Sequence, residues 1–297
     1  MASVVANGIR LEYESLGDPG APALLLVMGL GMQLVSWPDT FCDALVRRGL
    51  RVVRFDNRDI GLSQKMDELG SPPLVGAMLR ARLGLEVRAP YGLEDMARDT
   101  VGLLDALDIR AAHVVGASMG GMIAQLVAAG APERVLTLTS IMSTSGARYL
   151  PAPKSRVTRQ LLSRPSDPRD PEVVTDHLVG LFRVIGSPRY PTPPEELRAR
   201  IRRSVGRSYH PPGVLRQMLA IVADGDRSAR LRRIRCPALV IHGRADPLVP
   251  YACGVDTAIK IPDSRFVAID GFGHDFPPQL HEPLTELIAR HALEARH

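Results

Sequence analysis

Val114-Val115-Gly116-Ala117-Ser118-Met119-Gly120-Gly121 is a short apolar run that breaks through Gly-x-Ser-x-Gly into the apolar-rich stretch 122–129. A strand turning sharply into a helix around a serine is a nucleophile elbow. The serine backbone is strained, and the chain crosses itself two residues either side. A Cβ at Gly116 or Gly120 would collide there. Ser118 is then lifted clear of the sheet with its Oγ exposed. A Gly-rich strand–helix turn can carry a serine for structural reasons alone, so the remaining chemistry has to be found elsewhere in the chain.

Working outward, the rhythm is strand then helix. Ile9–Leu16 alternates apolar and polar. Ala23–Met28, Arg51–Phe55, Ala112–Val115, Val135–Met142, Ala238–His242 and Phe266–Ile269 read as strands, several apolar throughout. Helical spacing marks Thr40–Arg48, Leu93–Leu107, Met119–Ala129, 251–260 and Glu282–Ala292. Strands of this kind argue for an α/β fold with a mostly parallel sheet covered on both faces. After Met142 the rhythm stops. Proline clusters and amphipathic stretches near 172–185, 195–205 and 213–223 predict a helical insertion. The expected domains are a core of 1–146 and 231–297 and an inserted unit of 147–230.

Charge divides the chain the same way. Residues 147–235 hold 19 Lys+Arg against 8 Asp+Glu, a net +11, and the rest is −6, giving the overall +5. The arginines are scattered without aromatic interleaving, the pattern of a solvated helical face rather than a nucleic-acid surface. Apolar content is 45% and mean hydropathy is near zero. No run approaches a membrane span, and the N-terminus lacks the pattern of a signal peptide. Cys42, Cys236 and Cys253 have no C-x-x-C spacing and read as reduced, mostly buried thiols of a cytoplasmic protein. Neither a metal-ligand cluster nor a G-x-G-x-x-G after a first strand is present, so no metal or cofactor is expected.

A serine hydroxyl needs a base, and the base needs an orienting acid. Of the loops after the two strands that follow the elbow, Ser143–Arg148 has no carboxylate. Gly243-Arg-Ala-Asp246-Pro247 has one, presented by a turn. The base falls in Ile269-Asp-Gly271-Phe-Gly273-His274, where two glycines loosen the loop. His113 and His242 sit in or beside strands, and His177 and His210 lie in the insertion. His281, His291 and His297 are terminal and read as solvated. The catalytic candidates are therefore Ser118, Asp246 and His274. An oxyanion needs two donors: the N–H of Met119, and that of Leu30 in Met28-Gly29-Leu30-Gly31, where Gly29 allows close approach. Met28, Met32, Met122 and Met142 are candidate pocket residues, with core packing as the other reading. Trp37 reads as packing.

Together these residues resemble the α/β-hydrolase superfamily over nearly the whole chain. Gly-Ala-Ser118-Met-Gly-Gly, Ile-His-Gly-Arg-Ala-Asp246-Pro and Gly-Phe-Gly-His274-Asp carry the resemblance. Phe55-Asp-Asn-Arg58-Asp59-Ile-Gly61-Leu-Ser63 is similar to a D-x-R-G-x-G-x-S turn, with Asp59 where glycine is usual. Met28-Gly29 stands where most relatives have His-Gly. Val27-Met-Gly29, Ser36-Trp-Pro-Asp39 and Asn57-Arg-Asp59 are similar to the branch of anthracycline methylesterases and related carboxylesterases. The resemblance implies an eight-stranded-type core, a helical cap after strand six, no cofactor, and hydrolysis of small-molecule esters through a Ser-His-Asp triad and an acyl-enzyme. From the charge pattern and the absence of an apolar span, no nucleic-acid or membrane partner is expected, and a homodimer is left open. Perhydrolase, lactonase or C–C bond hydrolysis on the same triad is the alternative, and a non-catalytic binding protein the more distant one.

Overall fold

A computed structural model describes residues 1–70 and 73–294. Its first half runs β1 (Ala2–Ala6), β2 (Ile9–Leu16), β3 (Ala23–Val27), α1 (Asp39–Arg47), β4 (Arg51–Phe55), α2 (Leu74–Arg82), α3 (Leu93–Ala106), β5 (Ala112–Ala117), α4 (Met119–Gly130) and β6 (Val135–Ile141). Then come α5 (Ser155–Leu162), α6 (Pro171–Ile185), α7 (Pro194–Arg207), α8 (Pro211–Asp224) and the short α9 (Ser228–Leu231). The chain closes with β7 (Ala238–Gly243), α10 (Tyr251–Lys260), β8 (Arg265–Ile269) and α11 (His281–Glu294).

Among the described residues eight strands form one sheet in the order β1-β2-β4-β3-β5-β6-β7-β8. β2 runs antiparallel to β1 and β4, and every pair from β4 to β8 is parallel. The apolar strands explain themselves by period two. Leu25, Val27, Val53 and Val114 enter one core, shared with α3 and α4. Leu24, Leu26, Val52 and Val115 enter the other, shared with α1 and α11. A strand buried on both faces must be apolar at every position, as β3 is. Helix α4 is apolar apart from Gln125 for the same reason, being enclosed by the sheet, α3 and α9.

The structure differs from the sequence reading at several points. Strand β1 was not expected, although Asn7 and Gly8, both at positive φ, form the two-residue Asn-Gly hairpin that joins it to β2. Helices α2 and α5 were also missed. His281 was expected in solvent but is buried. Its Nδ1 lies 2.8 Å from Thr40 Oγ1 and its Nε2 3.2 Å from the Phe276 carbonyl. His291 is half-buried, and His297 lies outside the described residues. Trp37 is fully buried against Phe41 and Phe276.

The inserted helices have clear local causes. Asp170 caps α6, accepting from Glu172 N at 2.8 Å, with Pro171 at the first helical position. Their seating on the core is polar and buried. Asp59 stands at φ +74, a left-handed conformation that glycine adopts most easily. Its carboxylate accepts Arg216 Nε at 2.6 Å and Nη2 at 2.7 Å, Tyr91 Oη at 2.9 Å and Met66 N at 3.0 Å. Asp56 takes Arg207 Nη1 at 2.6 Å. Helices α7 and α8 are thereby tied to the loop after β4.

Candidate active site

Parallel strands bring their carboxyl ends to one edge, and the candidate residues lie there. Ser118 joins β5 to α4 at φ +57, ψ −120, a conformation L-residues avoid. A Cβ on Gly116 would strike the Gly120 carbonyl oxygen, and one on Gly120 the Val27 carbonyl oxygen. Both glycines are therefore steric necessities of the crossing. Ser118 N donates to Ile141 O at 2.9 Å, and Ser143 Oγ donates to Ser118 O at 2.8 Å, which fixes the strained residue from β6.

Asp246 follows β7. Its Oδ1 accepts the N–H groups of Leu248 and Val249, each at 2.9 Å, so the turn around Pro247 orients the carboxylate. Its Oδ2 lies 2.7 Å from His274 Nδ1. An ionised carboxylate only accepts, which places the proton on Nδ1 and leaves Nε2 as an acceptor. His242 Nε2 sits 3.6 Å from the same Oδ2 and donates to Val249 O at 2.8 Å. Burial holds the His242 pKa below the ordinary value, against the pull of the neighbouring Asp246.

The loop carrying His274 packs against the end of α6. His274 N donates to Ile185 O at 2.8 Å, and Gly273 N to Ser187 Oγ at 2.8 Å. A Cβ on Gly273 would meet the Gly186 carbonyl at 2.5 Å. The glycines thus serve close packing here more than looseness. Asp275 is buried with its Oδ1 2.5 Å from Ser187 Oγ, and burial raises its pKa. Ser118 and His274 open onto the same cavity. Among the described residues no hydrogen bond joins the Ser118 and His274 side chains.

The loop after β3 closes over Ser118. A Cβ on Gly29 would lie 3.1 Å from Ser118 Cβ and 3.2 Å from Ala117 O, so a side chain here would push the loop back by a few tenths of an ångström. Among the described residues no acceptor takes the N–H of Leu30 or of Met119, and Met119 is the first residue of α4. The cavity measures about 1160 Å³ and is walled by Met28, Leu30, Met32 and Met142 from the core. Leu181, Phe182, Val205, Val214 and Met218 wall it from the inserted helices. Met122 is not among its walls. It lies one turn into α4, where the helical period turns it into the core beside Ile123 and Leu126.

Two features had no clear signal in the sequence. Arg200 of α7 lines the cavity, its Nη1 3.2 Å from Phe276 O and its guanidinium over the Phe182 ring. Burial lowers its pKa, and no carboxylate lies within ion-pair distance among the described residues. Gln217 of α8 is fully buried and reaches the loop after β3. Asp59, Asp67 and His210 are close enough to share a cation. Arg216 already supplies one, donating to both carboxylates.

The model of the alpha/beta hydrolase fold family matches residues 22–170. Rhodomycin D methylesterase DnrP of Streptomyces peucetius is 32% identical, over 98% of this chain and 98% of its own. A 2-hydroxy-6-oxononadienedioate/2-hydroxy-6-oxononatrienedioate hydrolase of Burkholderia vietnamiensis (strain G4 / LMG 22486) is 29% identical, over 92% and 88%. Among solved structures, the enol-lactonase of Burkholderia xenovorans LB400 superposes with a TM-score of 0.72 at 23% identity, covering 98% of this chain and 99% of that one. That likeness is one of fold. The chain belongs to the α/β-hydrolase fold family, as an enzyme of its carboxylesterase type. Among the described residues no helix is long and apolar enough to cross a membrane.

Proposed function

We propose that this chain is a serine carboxylesterase that cleaves esters of medium-sized apolar molecules through an acyl-enzyme, with Ser118, His274 and Asp246 as its triad. One observation carries the reading. A serine held in a strained left-handed backbone faces a large cavity whose wall also holds an imidazole already coupled to a buried carboxylate. Strain of about 1–3 kcal/mol at one residue persists where the surroundings over-determine it, and such positions cluster at active sites.

His274 Nε2 takes the Ser118 proton as Oγ attacks the ester carbonyl. Asp246 keeps the imidazole's tautomer and stabilises the imidazolium. The tetrahedral oxyanion accepts from Leu30 and Met119 N–H, each worth roughly 3–4 kcal/mol in comparable sites. Collapse expels the alcohol, protonated by His274. A water deprotonated by His274 then attacks the acyl-enzyme and releases the acid. Residues 147–230 act as a cap that supplies the apolar roof. A cavity of about 1160 Å³ exceeds the usual ~300–1,000 Å³ for drug-sized ligands. It accommodates a polycyclic methyl ester, the substrate class that the methylesterase relative's name suggests.

Arg200 favours a second reading. A cation on the cavity wall with no carboxylate at ion-pair distance among the described residues suits a substrate that carries its own carboxylate, as a dioate does. Lactones and dienoates would then be turned over on the same triad.

The test is a stopped-flow burst with p-nitrophenyl esters, followed by a panel of methyl esters, lactones and dienoates. Wild type is expected to release one equivalent of p-nitrophenol rapidly, and Ser118→Ala to lose kcat by about 10⁴-fold or more with an unchanged fold. Equal rates in the two proteins would end the proposal. Faster turnover of dienoates than of any ester would favour the second reading.

A further inference from the structure

We infer that Gln217, a residue of the inserted helix α8, is a positioning residue for the oxyanion hole. The inference rests on the reading of Ser118 and Leu30 given above. The loop Gly29–Met32 has little internal support. One bond closes it, Met32 N to Gly29 O at 3.2 Å, and the donor Leu30 lies between two glycines. Gly31 stands at φ +67. Such a turn can rotate its peptide planes at small cost unless something outside holds them.

Gln217 does so. Its Oε1 accepts the Gly31 N–H at 2.9 Å, on the peptide next to the Leu30 donor. Its Nε2 donates to Arg58 O at 3.0 Å. Arg58 is itself locked, with Nε 2.5 Å and Nη2 2.6 Å from the buried Asp99. The amide therefore has one orientation, because reversing it would set donor against donor and acceptor against acceptor. Gln217 is fully buried, so no water competes for either bond. Val214, one turn earlier, closes the other side: a Cβ on Gly31 would lie 3.1 Å from its Cγ2. The oxyanion loop is thus braced by the inserted helix, and seating of that helix is a condition for stabilising the transition state.

The experiment compares wild type, Gln217→Met and Gln217→Glu on one p-nitrophenyl ester. Affinity for an alkyl boronic acid, whose Ser118 adduct places an oxygen in the hole, is measured alongside. Methionine keeps the volume and removes both hydrogen bonds. Its kcat is expected to fall 10- to 100-fold with KM within about twofold, since misplacements near 1 Å cost about that much. Boronate affinity should fall by the same factor as kcat. A buried glutamate beside a carbonyl is held protonated. It retains an acceptor for Gly31 and a donor for Arg58, and should restore kcat to within about fivefold of wild type. Should the methionine protein fail to fold, amide exchange at Gly31 in wild type decides, and protection is expected. Unchanged kcat in Gln217→Met, a loss of kcat without a loss of boronate affinity, or fast Gly31 exchange would each overturn the inference. If Ser118→Ala stays active, the serine-esterase reading falls. If Ser118→Ala is dead while Gln217→Met matches wild type, only the positioning role falls.

Discussion

Two loops meet over Ser118, and they are held in opposite ways. The elbow is shaped by residues four apart in sequence, where Gly116, Ser118 and Gly120 leave the backbone no other path. The loop after β3 is shaped from a distance. Gln217 holds Gly31, and Gln33 Nε2 reaches Ser204 O and Ser208 O, both at 2.7 Å. Sterics of the first kind tolerate no substitution, and the walls they meet are the elbow's own Gly120 carbonyl and the Val27 carbonyl of the adjacent β3. Polar ties of the second kind depend on α7 and α8 being seated on the core. The nucleophile is therefore built within the sheet, by the elbow and its neighbouring strands β3 and β6, while its oxyanion loop is completed only when the inserted helices dock.

The comparison can be broken most sharply at the elbow. Gly120→Ala places a methyl on the Val27 carbonyl oxygen. It should destabilise the protein by about 4 kcal/mol or more, the range reserved for severe strain or overpacking. Insoluble expression or a collapsed denaturation midpoint checks this, and a stable, active Gly120→Ala protein would show that the crossing can relax.

The second region is tested through Asp59. Its side chain and that of Arg216 are almost wholly buried. Removing Asp59 leaves the buried Arg216 with only the exposed carboxylate of Asp67, so Asp59→Ala should cost about 3 kcal/mol, the low end for a broken buried pair. The double change Asp59→Gly with Arg216→Met should recover most of that, since glycine suits φ +74 and no charge is left buried. Urea titration of the three variants measures it. Activity in Asp59→Ala should fall before global unfolding, because α8 carries Gln217.

The smallest effect is one of pH. Sterics do not titrate, whereas several tertiary ties do. Burial lowers the pKa of His242, His281 and His291 below the usual value of 6.5. Their folded pKa values lie under the unfolded one, so their contribution is complete above about pH 6.5 and is lost as pH falls toward the folded values. Each can remove up to about 1.4 kcal/mol per pH unit in that window. Tm should fall on acidification from pH 7 to 5, and His281→Asn should flatten part of the slope. A Tm independent of pH over that range would contradict it.

Much of the fold was legible because its signals are short-ranged. Apolar runs at β3, β5 and β7 announce strands buried on two faces, and turn residues place Ser118, Asp246 and His274 past strand ends. Strand β1 carries a hairpin signal in Asn7-Gly8 but no apolar pattern of its own, because its residues are mostly exposed. For Met122 the core-packing reading holds, and helical phase decides it: methionines at strand ends face the cavity, but one a turn into α4 faces the core. Arg200 and Gln217 gave no signal, since an arginine among arginines and a glutamine in an amphipathic helix look solvated until the helix is docked.

What the chain determined alone is a serine on a strained strand–helix turn, with an acid and a base in later loops. Those features follow from glycine sterics and alternation over a few residues. Only the tertiary structure decided which polar side chains of α7 and α8 enter the core, what walls the cavity and what steadies Leu30. Those pairings join residues more than 150 positions apart, and burial and hydrogen-bond geometry, not local propensity, select them.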